Sequence, residues 1–260
     1  MPKRSLLIKF AALLISAALL IITLVSCSGE DLKKDKEYIE FTDALGRVVR
    51  VEKSPERVAA LLGSFADVWR LSGGELVAAA EDAADYFDTD GIINIGGAHS
   101  PSLEILLSAD PDFVIASAST SADLEMKDTL SSLGIAVAYF DVDSFYDYLL
   151  MLDICTDITG RKDLYRENGL LVKEKVDKVK SELEGENIPA EKRKVLLLRA
   201  TSGTIKAKGS QGTVLGEMLF DLGAENLADS DKNLLENLSI EAINKNEPYS
   251  IFIVTMGDDT

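Results

Sequence analysis

Among its 260 residues the chain has one histidine, His99, and two cysteines, Cys27 and Cys155, and that scarcity limits the chemistry open to it. A zinc or manganese site built on several imidazoles cannot be assembled from a single His. A Ser-His-Asp arrangement would have to be built around His99, and the GxSxG elbow is absent. Ser100 follows His99 directly, but adjacency in sequence is not triad geometry. Two acids stand in a more telling pattern: Ser102-Leu103-Glu104 and Ser239-Ile240-Glu241. Each Glu is followed seven residues later by a proline, Pro111 or Pro248, and then by an apolar run, Phe113 to Ala116 or Ile251 to Thr255. Ser suits a helix N-cap, and Glu suits the positive end of the helix dipole. The pattern predicts a short Ser-capped helix, a Pro-marked turn and a buried strand, once in each half of the chain.

Cys27 has a different setting. Lys3, Arg4 and Lys9 precede an unbroken apolar stretch from Phe10 to Val25, which leads through small Ser26 to Cys27. Basic flank, apolar run and small residue together read as an export signal over residues 1–26. A spanning helix wants about 20 apolar residues, and this run is shorter and contains Ser16 and Thr23. The Leu24-Val25-Ser26-Cys27 box resembles that of bacterial lipoproteins, which implies that Cys27 becomes the acylated first residue of the mature protein. Residues 27–37 are then the lipidated Cys and a small, charged tether, SGEDLKKDK over Ser28 to Lys36. Everything beyond it should face the outside of the cytoplasmic membrane. With Cys27 committed to lipid, Cys155 has no partner and reads as a small buried hydrophobe.

The remaining chain is long enough for one large or two modest domains. The whole chain carries 44 Asp and Glu against 27 Lys and Arg, for a net charge of −17, and the signal takes three of the positive charges with it. Such a surface repels phosphate backbones, so nucleic acid is disfavoured as a partner. It is equally unsuited to holding an anionic bilayer, which leaves the lipid as the anchor.

The elements that must position these residues follow from the hydrophobic rhythm. Tyr38 to Thr42 and Arg47 to Glu52 flank a turn at Asp43-Ala44-Leu45-Gly46 and read as a hairpin. Beyond Pro55, the runs Val58 to Leu62, Leu76 to Ala80, Phe113 to Ala116 and Ile135 to Phe140 are too densely apolar to alternate, and helical spacings separate them. Repeated βα units with a buried parallel sheet produce that pattern. Ser144 is placed to cap a helix that Gly160 ends. A long amphipathic helix is expected from Arg161 to about Leu183, closed by Gly185, with Leu164, Leu171, Val172, Val176, Val179 and Leu183 in one stripe. The βα rhythm resumes with Val195 to Leu198, a short strand Thr204 to Lys208 and a helix over Val214 to Leu222.

Four segments, in order, resemble the helical-backbone class of ABC-transporter substrate-binding proteins, which capture iron-siderophores, haem or cobalamin. They are FTDALGRVVRVEKSPERVAAL, IGGAHSPSLEILLSADPDFVIAS, DITGRKDLYRENG and KAKGSQGTVLGEMLFDLGAENLA. The resemblance implies an α/β fold of two Rossmann-like lobes, residues 38–160 and 186–260, joined by a single long helix over 161–185, with ligand in the cleft between. It implies a monomer without a cofactor, which delivers a metal-chelate or tetrapyrrole-type solute to an ABC permease and its ATPase. It also gives Glu104 and Glu241 a role, one on each lobe, in pairing with permease arginines. Family members continue beyond the strand equivalent to Ile251 to Thr255, whereas this chain ends at MGDDT, so the second lobe is expected to be incomplete.

Loops leaving the carboxyl ends of parallel strands line clefts in α/β folds. That nominates Gly63, Ser64 and Phe65, then Ser117 to Ser121, and Arg199 to Gly203. The glycines around Gly97 and His99, and the Lys208-Gly209-Ser210 turn, allow close approach to a ligand. Arg199 and Lys208 could bind carboxylates or an anionic iron complex. The candidate ligand contacts are therefore Ser64, Phe65, Gly97, His99, Ser117, Arg199, Lys208 and Ser210. Trp69, the only tryptophan, reads as core, and Tyr86 in the acidic loop Glu81 to Asp90 is a weaker candidate. A lipid-anchored surface receptor or hydrolase without a transport role remains the competing reading.

Overall fold

The computed structural model describes residues 36–201, 203–230, 234–235 and 238–255; the export signal and Cys27 lie outside them. The hairpin β1 (Tyr38–Thr42) and β2 (Val48–Glu52) is antiparallel. Five parallel strands follow: β3 (Val58–Ala60), β4 (Ala78–Ala79), β5 (Ile93–Asn94), β6 (Phe113–Ser117) and β7 (Ala136–Phe140), in the spatial order β5-β4-β3-β6-β7. Between them run α1 (Gly63–Leu71), α2 (Leu103–Ser108) and α3 (Ser121–Ser132), and after β7 comes α4 (Phe145–Thr159).

Successive side chains of a strand point to opposite faces of the sheet. Phe113, Ile115, Ala138 and Phe140 accordingly join one core, with Phe65 and Trp69 of α1, Leu152 and Cys155 of α4, and Val49 and Val51 of the hairpin. Their neighbours Val114, Ala116, Val137 and Tyr139 join the other, with Leu106 of α2 and Met126 and Leu130 of α3. Both faces of the sheet are thus covered, which is why its strands are apolar without alternation. Trp69 is 1 % exposed, packs edge-on to Phe113 and donates its indole N–H to the Glu75 carbonyl at 2.9 Å.

The expected long helix is one helical run of three pieces: α5 (Lys162–Tyr165), a π turn over Arg166–Leu170, and α6 (Leu171–Gly185). At 1.5 Å per residue it spans about 36 Å. Its first turns are clamped to the N-terminal half. Asn168 donates to the Leu71 carbonyl at 2.8 Å and accepts at its own carbonyl from Tyr148 at 2.9 Å. A Cβ at Gly169 would lie 3.2 Å from Leu149 and 3.3 Å from Leu152, so the wider π turn sits where the helix packs directly on these two side chains of α4. Beyond it α6 has no buried residue. Near its end Lys180 meets Asp221 at 3.3 Å.

The C-terminal half is a second sheet centred on β8 (Lys194–Ala200). Along one edge β8 pairs in parallel with β11 (Ser250–Thr255). Its other edge is shared by β10 (Glu225–Asn226) and the antiparallel β9 (Ile205–Lys208). This sheet is therefore mixed, a departure from the βα rhythm. Helices α7 (Val214–Asp221), α8 (Leu227–Ser230) and α9 (Ile240–Asn246) accompany it, and Leu196, Leu198, Ala207 and Leu227 form its core.

The repeat is present in the backbone. Ser102 accepts from the Ile105 amide at 3.3 Å to cap α2, and Ser239 accepts from Ala242 at 3.1 Å to cap α9. Each helix then ends at a non-glycine residue of positive φ before a proline, Asp110 and Glu247, both at φ 48°. Three expectations shift. The run Leu76 to Ala80 contributes only two strand residues, and β5 and β10 are too short for any periodicity to announce. Ser64 and Phe65 belong to the first turn of α1 and not to a loop.

The hairpin turn is fixed by Asp43, whose side chain is fully buried. Its carboxylate accepts from the Leu45 and Arg47 amides at 3.0 Å and from the Arg47 guanidinium at 3.0 and 2.6 Å. Arg47 reaches on to the Val137 carbonyl at 3.0 Å and lies over the Tyr139 ring, so this pair docks the hairpin on β7. The Tyr139 amide also donates to Asp43 at 3.4 Å, so Asp43→Ala strands that guanidinium and three amides. The expected loss is about 3 kcal/mol of folding stability, the range for breaking a buried pair, readable as a lower urea midpoint with unchanged slope.

Candidate functional site

Ligands of α/β folds bind at the carboxyl ends of the parallel strands, and there the structure has a cleft of about 430 Å³. Its N-terminal wall is built from the residues that leave three strands: Leu62, Ser64 and Phe65 after β3, Ser117 and Ser119 at the end of β6, and Val142, Ser144 and Phe145 after β7. Val172 of the linking helix and Val214 and Met218 of α7 complete it from the other side. A larger cavity of about 530 Å³ lies around Leu183, Val195, Leu219 and Tyr249. It opens at the amino ends of β8 and β11, the face of the sheet away from the cleft.

The side chains of the cleft are mostly apolar or aromatic. Phe145 and Tyr148 are stacked with centroids 5.8 Å apart, and Tyr86 is half exposed at the rim. The Ser117 and Ser119 hydroxyls lie 3.0 Å from each other. Among the described residues Asp67, one turn into α1, is the single ionisable side chain in the lining besides the two phenols. Burial raises its carboxyl above the usual range, with Arg70 opposing. Burial also raises both tyrosines, with help from Asp67 at Tyr148 and from Asp82, Asp85 and Asp67 at Tyr86.

Behind the lining, carboxylates hold the loop backbone in place. Asp82 accepts from the Gly63 amide at 3.0 Å, and Asp123 from the Ser117 amide at 2.7 Å. In the C-terminal half Asp229 does the same for Ser210 at 2.7 Å. Gly63 is required by this packing, because a Cβ there would sit 2.4 Å from the Asp82 carbonyl carbon. Asp82 Oδ1, Asp123 Oδ1 and Ser210 Oγ are buried without a hydrogen-bond partner among the described residues, so the Asp82 and Asp123 clamps are one-sided.

Of the residues nominated from sequence, Ser64, Phe65 and Ser117 line the cleft, although Phe65 is 4 % exposed and mainly core. Gly97 and exposed His99 lie in the loop after β5, outside the lining. Arg199 is an exposed residue of β8, Lys208 ends β9, and Ser210 is buried beside Asp229 in a separate cavity. None of these three lines the cleft. Glu104 and Glu241 are exposed in the first turns of α2 and α9. Missed from sequence were Asp67, Phe145, Tyr148, Val172, Val214 and Met218, whose helical spacing signals only an amphipathic face, and the clamps Asp82, Asp123 and Asp229. Among the described residues no three His, Cys, Asp or Glu side chains are grouped to hold a metal, and no helix is long and apolar enough to cross a membrane. Cys155 is buried and unpaired, its thiol pushed well up by burial.

A family model described as periplasmic binding protein matches residues 58–260. The chain belongs to that family. Among solved structures it resembles the petrobactin-binding protein YclQ of Bacillus subtilis, at 20 % identity and a TM-score of 0.68, over 85 % of this chain and 79 % of that one. It also resembles the catecholate-siderophore binding protein VctP of Vibrio cholerae, at 16 % identity and 0.69, over 84 % and 78 %. The vitamin B12 binding protein BtuF of Vibrio cholerae matches at 16 % and 0.62, over 77 % and 76 %. No curated protein matches the sequence. At these identities the likeness establishes the mixed α/β fold, while the family rests on the model match.

The Asp123 clamp makes a pH-dependent contribution. Burial pushes its carboxyl from 3.8 up to about 6, against the Ser117 amide that favours the anion. The folded chain therefore holds this proton more tightly than the unfolded one. Stability falls as pH rises from about 4 through about 6, and the loss is complete above that window. Asp123→Asn keeps an acceptor for Ser117 but cannot titrate. Urea midpoints at pH 4.5 and about 7.5 should differ less in this variant than in the parent chain; an unchanged difference assigns the pH dependence elsewhere.

Proposed function

We propose that this chain is the extracytoplasmic solute-binding lipoprotein of an ABC importer, which captures an iron-siderophore, cobalamin or haem-type ligand and delivers it to the permease. The observation that carries this reading is the cleft, which lies at the strand carboxyl ends with walls from both halves and the linking helix. The family membership and the siderophore and vitamin B12 ligands of the structural relatives support it. In this reading residues 38–160 and 186–260 are the lobes and 161–185 the bridge. The export signal places the body outside the cytoplasmic membrane, and acylated Cys27 holds it there.

Solute is held by Ser64, Phe65 and Ser117 together with Tyr86, Tyr148 and Met218. Capture needs no bond to be broken. The small motion of two lobes joined by one helix brings the second wall onto the ligand. Glu104 and Glu241 then meet arginines of the permease, one from each lobe, and the ATPase drives release. Such exposed charges set register and encounter rate more than affinity. The two caps support this use, since Ser102 and Ser239 present the acids in equivalent first turns.

Calorimetric titration of the full-length chain in detergent with ferric siderophores, cobalamin and haem should give saturable binding for one of them. No binding by any would sink the reading. In cells, Glu104→Lys combined with Glu241→Lys should reduce uptake at least tenfold while leaving solute affinity within about twofold. Unchanged uptake would remove the docking role.

A further inference from the structure

The cleft contains a selection by charge that depends on the solute-capture reading and narrows it. Anion recognition in proteins uses Arg or Lys aimed at the acid groups, yet no Lys, Arg or His is among the described residues that line this cavity. Among the described residues the lining offers four serines, four aromatic rings and aliphatic side chains, and its one formal charge is Asp67. Arg70, which acts on Asp67, is turned onto the Phe87 ring at 4.1 Å and is not part of the lining. Among the described residues the second half contributes Val214 and Met218, and Arg199 and Lys208 are outside.

We propose that the cleft takes an uncharged or cationic ligand with aliphatic or aromatic surface and hydrogen-bond donors that reach Asp67, and that it excludes polyanionic chelates. A polyanion entering here would leave its hydration shell beside a half-buried carboxylate with no cation to replace it, which is unfavourable on both counts. Asp82 and Asp85 add to the same field, since together with Asp67 they act on Tyr86. The net charge of −17 over the whole chain disfavours anion approach in the same sense. A cation or neutral donor gains what a polyanion loses, and the stacked Phe145 and Tyr148 rings offer it a π face. Specificity then rests on an unpaired repulsion against the wrong ligand as much as on contacts to the right one.

The full-length chain in detergent should be titrated by calorimetry with three ferric chelates: a neutral tris-hydroxamate, a cationic linear tris-hydroxamate and a tris-catecholate of charge −3. The neutral or the cationic complex should bind at least tenfold more tightly than the tris-catecholate, with the cationic advantage falling as salt is raised. Asp67→Asn should erase most of the cationic advantage, and Asp67→Lys should move the ratio toward the anion by a further tenfold or more. Tighter binding of the tris-catecholate by the parent chain overturns the charge selection but leaves solute capture standing. Absence of saturable binding by all three chelates, and by cobalamin and haem, overturns both.

Discussion

A parallel sheet covered on both faces has only its strand ends left for contact with solvent or ligand, and the backbone N–H groups that emerge there need acceptors. An unpaired buried N–H is expensive, and water cannot serve every one without flooding the site. The chain meets this constraint with carboxylates placed behind the loops. Asp82 holds Gly63, Asp123 holds Ser117 and Asp229 holds Ser210. Each acid lies between 6 and 19 residues beyond the amide that it serves, so the strand end, the acid and its own element are fixed together. Ser64, Ser117 and Ser119 line the cleft on a backbone that is held from behind at Gly63 and Ser117.

Repetition of one local device explains why the two halves have related geometry without related sequence. In each, a serine caps a short helix, a residue of positive φ turns the chain before a proline, and the next strand enters the centre of a sheet or pairs with its central strand. Asp110 and Glu247 occupy a left-handed conformation that L-residues enter rarely. A proline beyond each prevents the helix from running on. The exposed acids Glu104 and Glu241 also suit the same device, since the first turn of a capped helix favours a negative charge. Equivalent position on the two halves is therefore a property of the backbone before it is a property of function.

The fold was largely legible because its signals are local. Dense apolar runs marked β3, β6 and β7, Ser144 and Gly160 bounded α4, and Asp43 with Gly46 marked the hairpin turn. Strands of two residues left no such trace, and neither did the π turn, which answers to the tertiary contact of Gly169 with Leu149 and Leu152. The site was legible only in its first layer. Strand-end reasoning reaches Ser117, the last residue of β6, and Ser64, which follows β3 closely at the start of α1. It cannot reach Asp67, Tyr148 or Met218, whose place in the cleft depends on how α1, α4 and α7 rotate against the sheet. Asp123 is harder still: in sequence it is one acid near the start of a helix, and its burial is decided by packing.

The two walls of the cleft differ in how firmly they are built. The N-terminal wall rests on two cores, on the Asp43–Arg47 pair and on the clamped first turns of the linking helix. The opposing wall is carried by α6, which buries nothing, and by α7, whose Val214 and Met218 are each about half exposed. Exposed apolar groups that face a cleft gain most when a ligand covers them, and an unbranched Met can adjust to an irregular surface. A ligand that fits the rigid wall thus supplies the missing cover for the softer one. Under the proposed capture of a solute, closure is favoured by the apolar area that the ligand and the second wall hide from water together. The π turn stands where the clamped first turns of the helix give way to α6, which has no buried residue, so the helix is held firmly at the rigid wall and only lightly at the softer one.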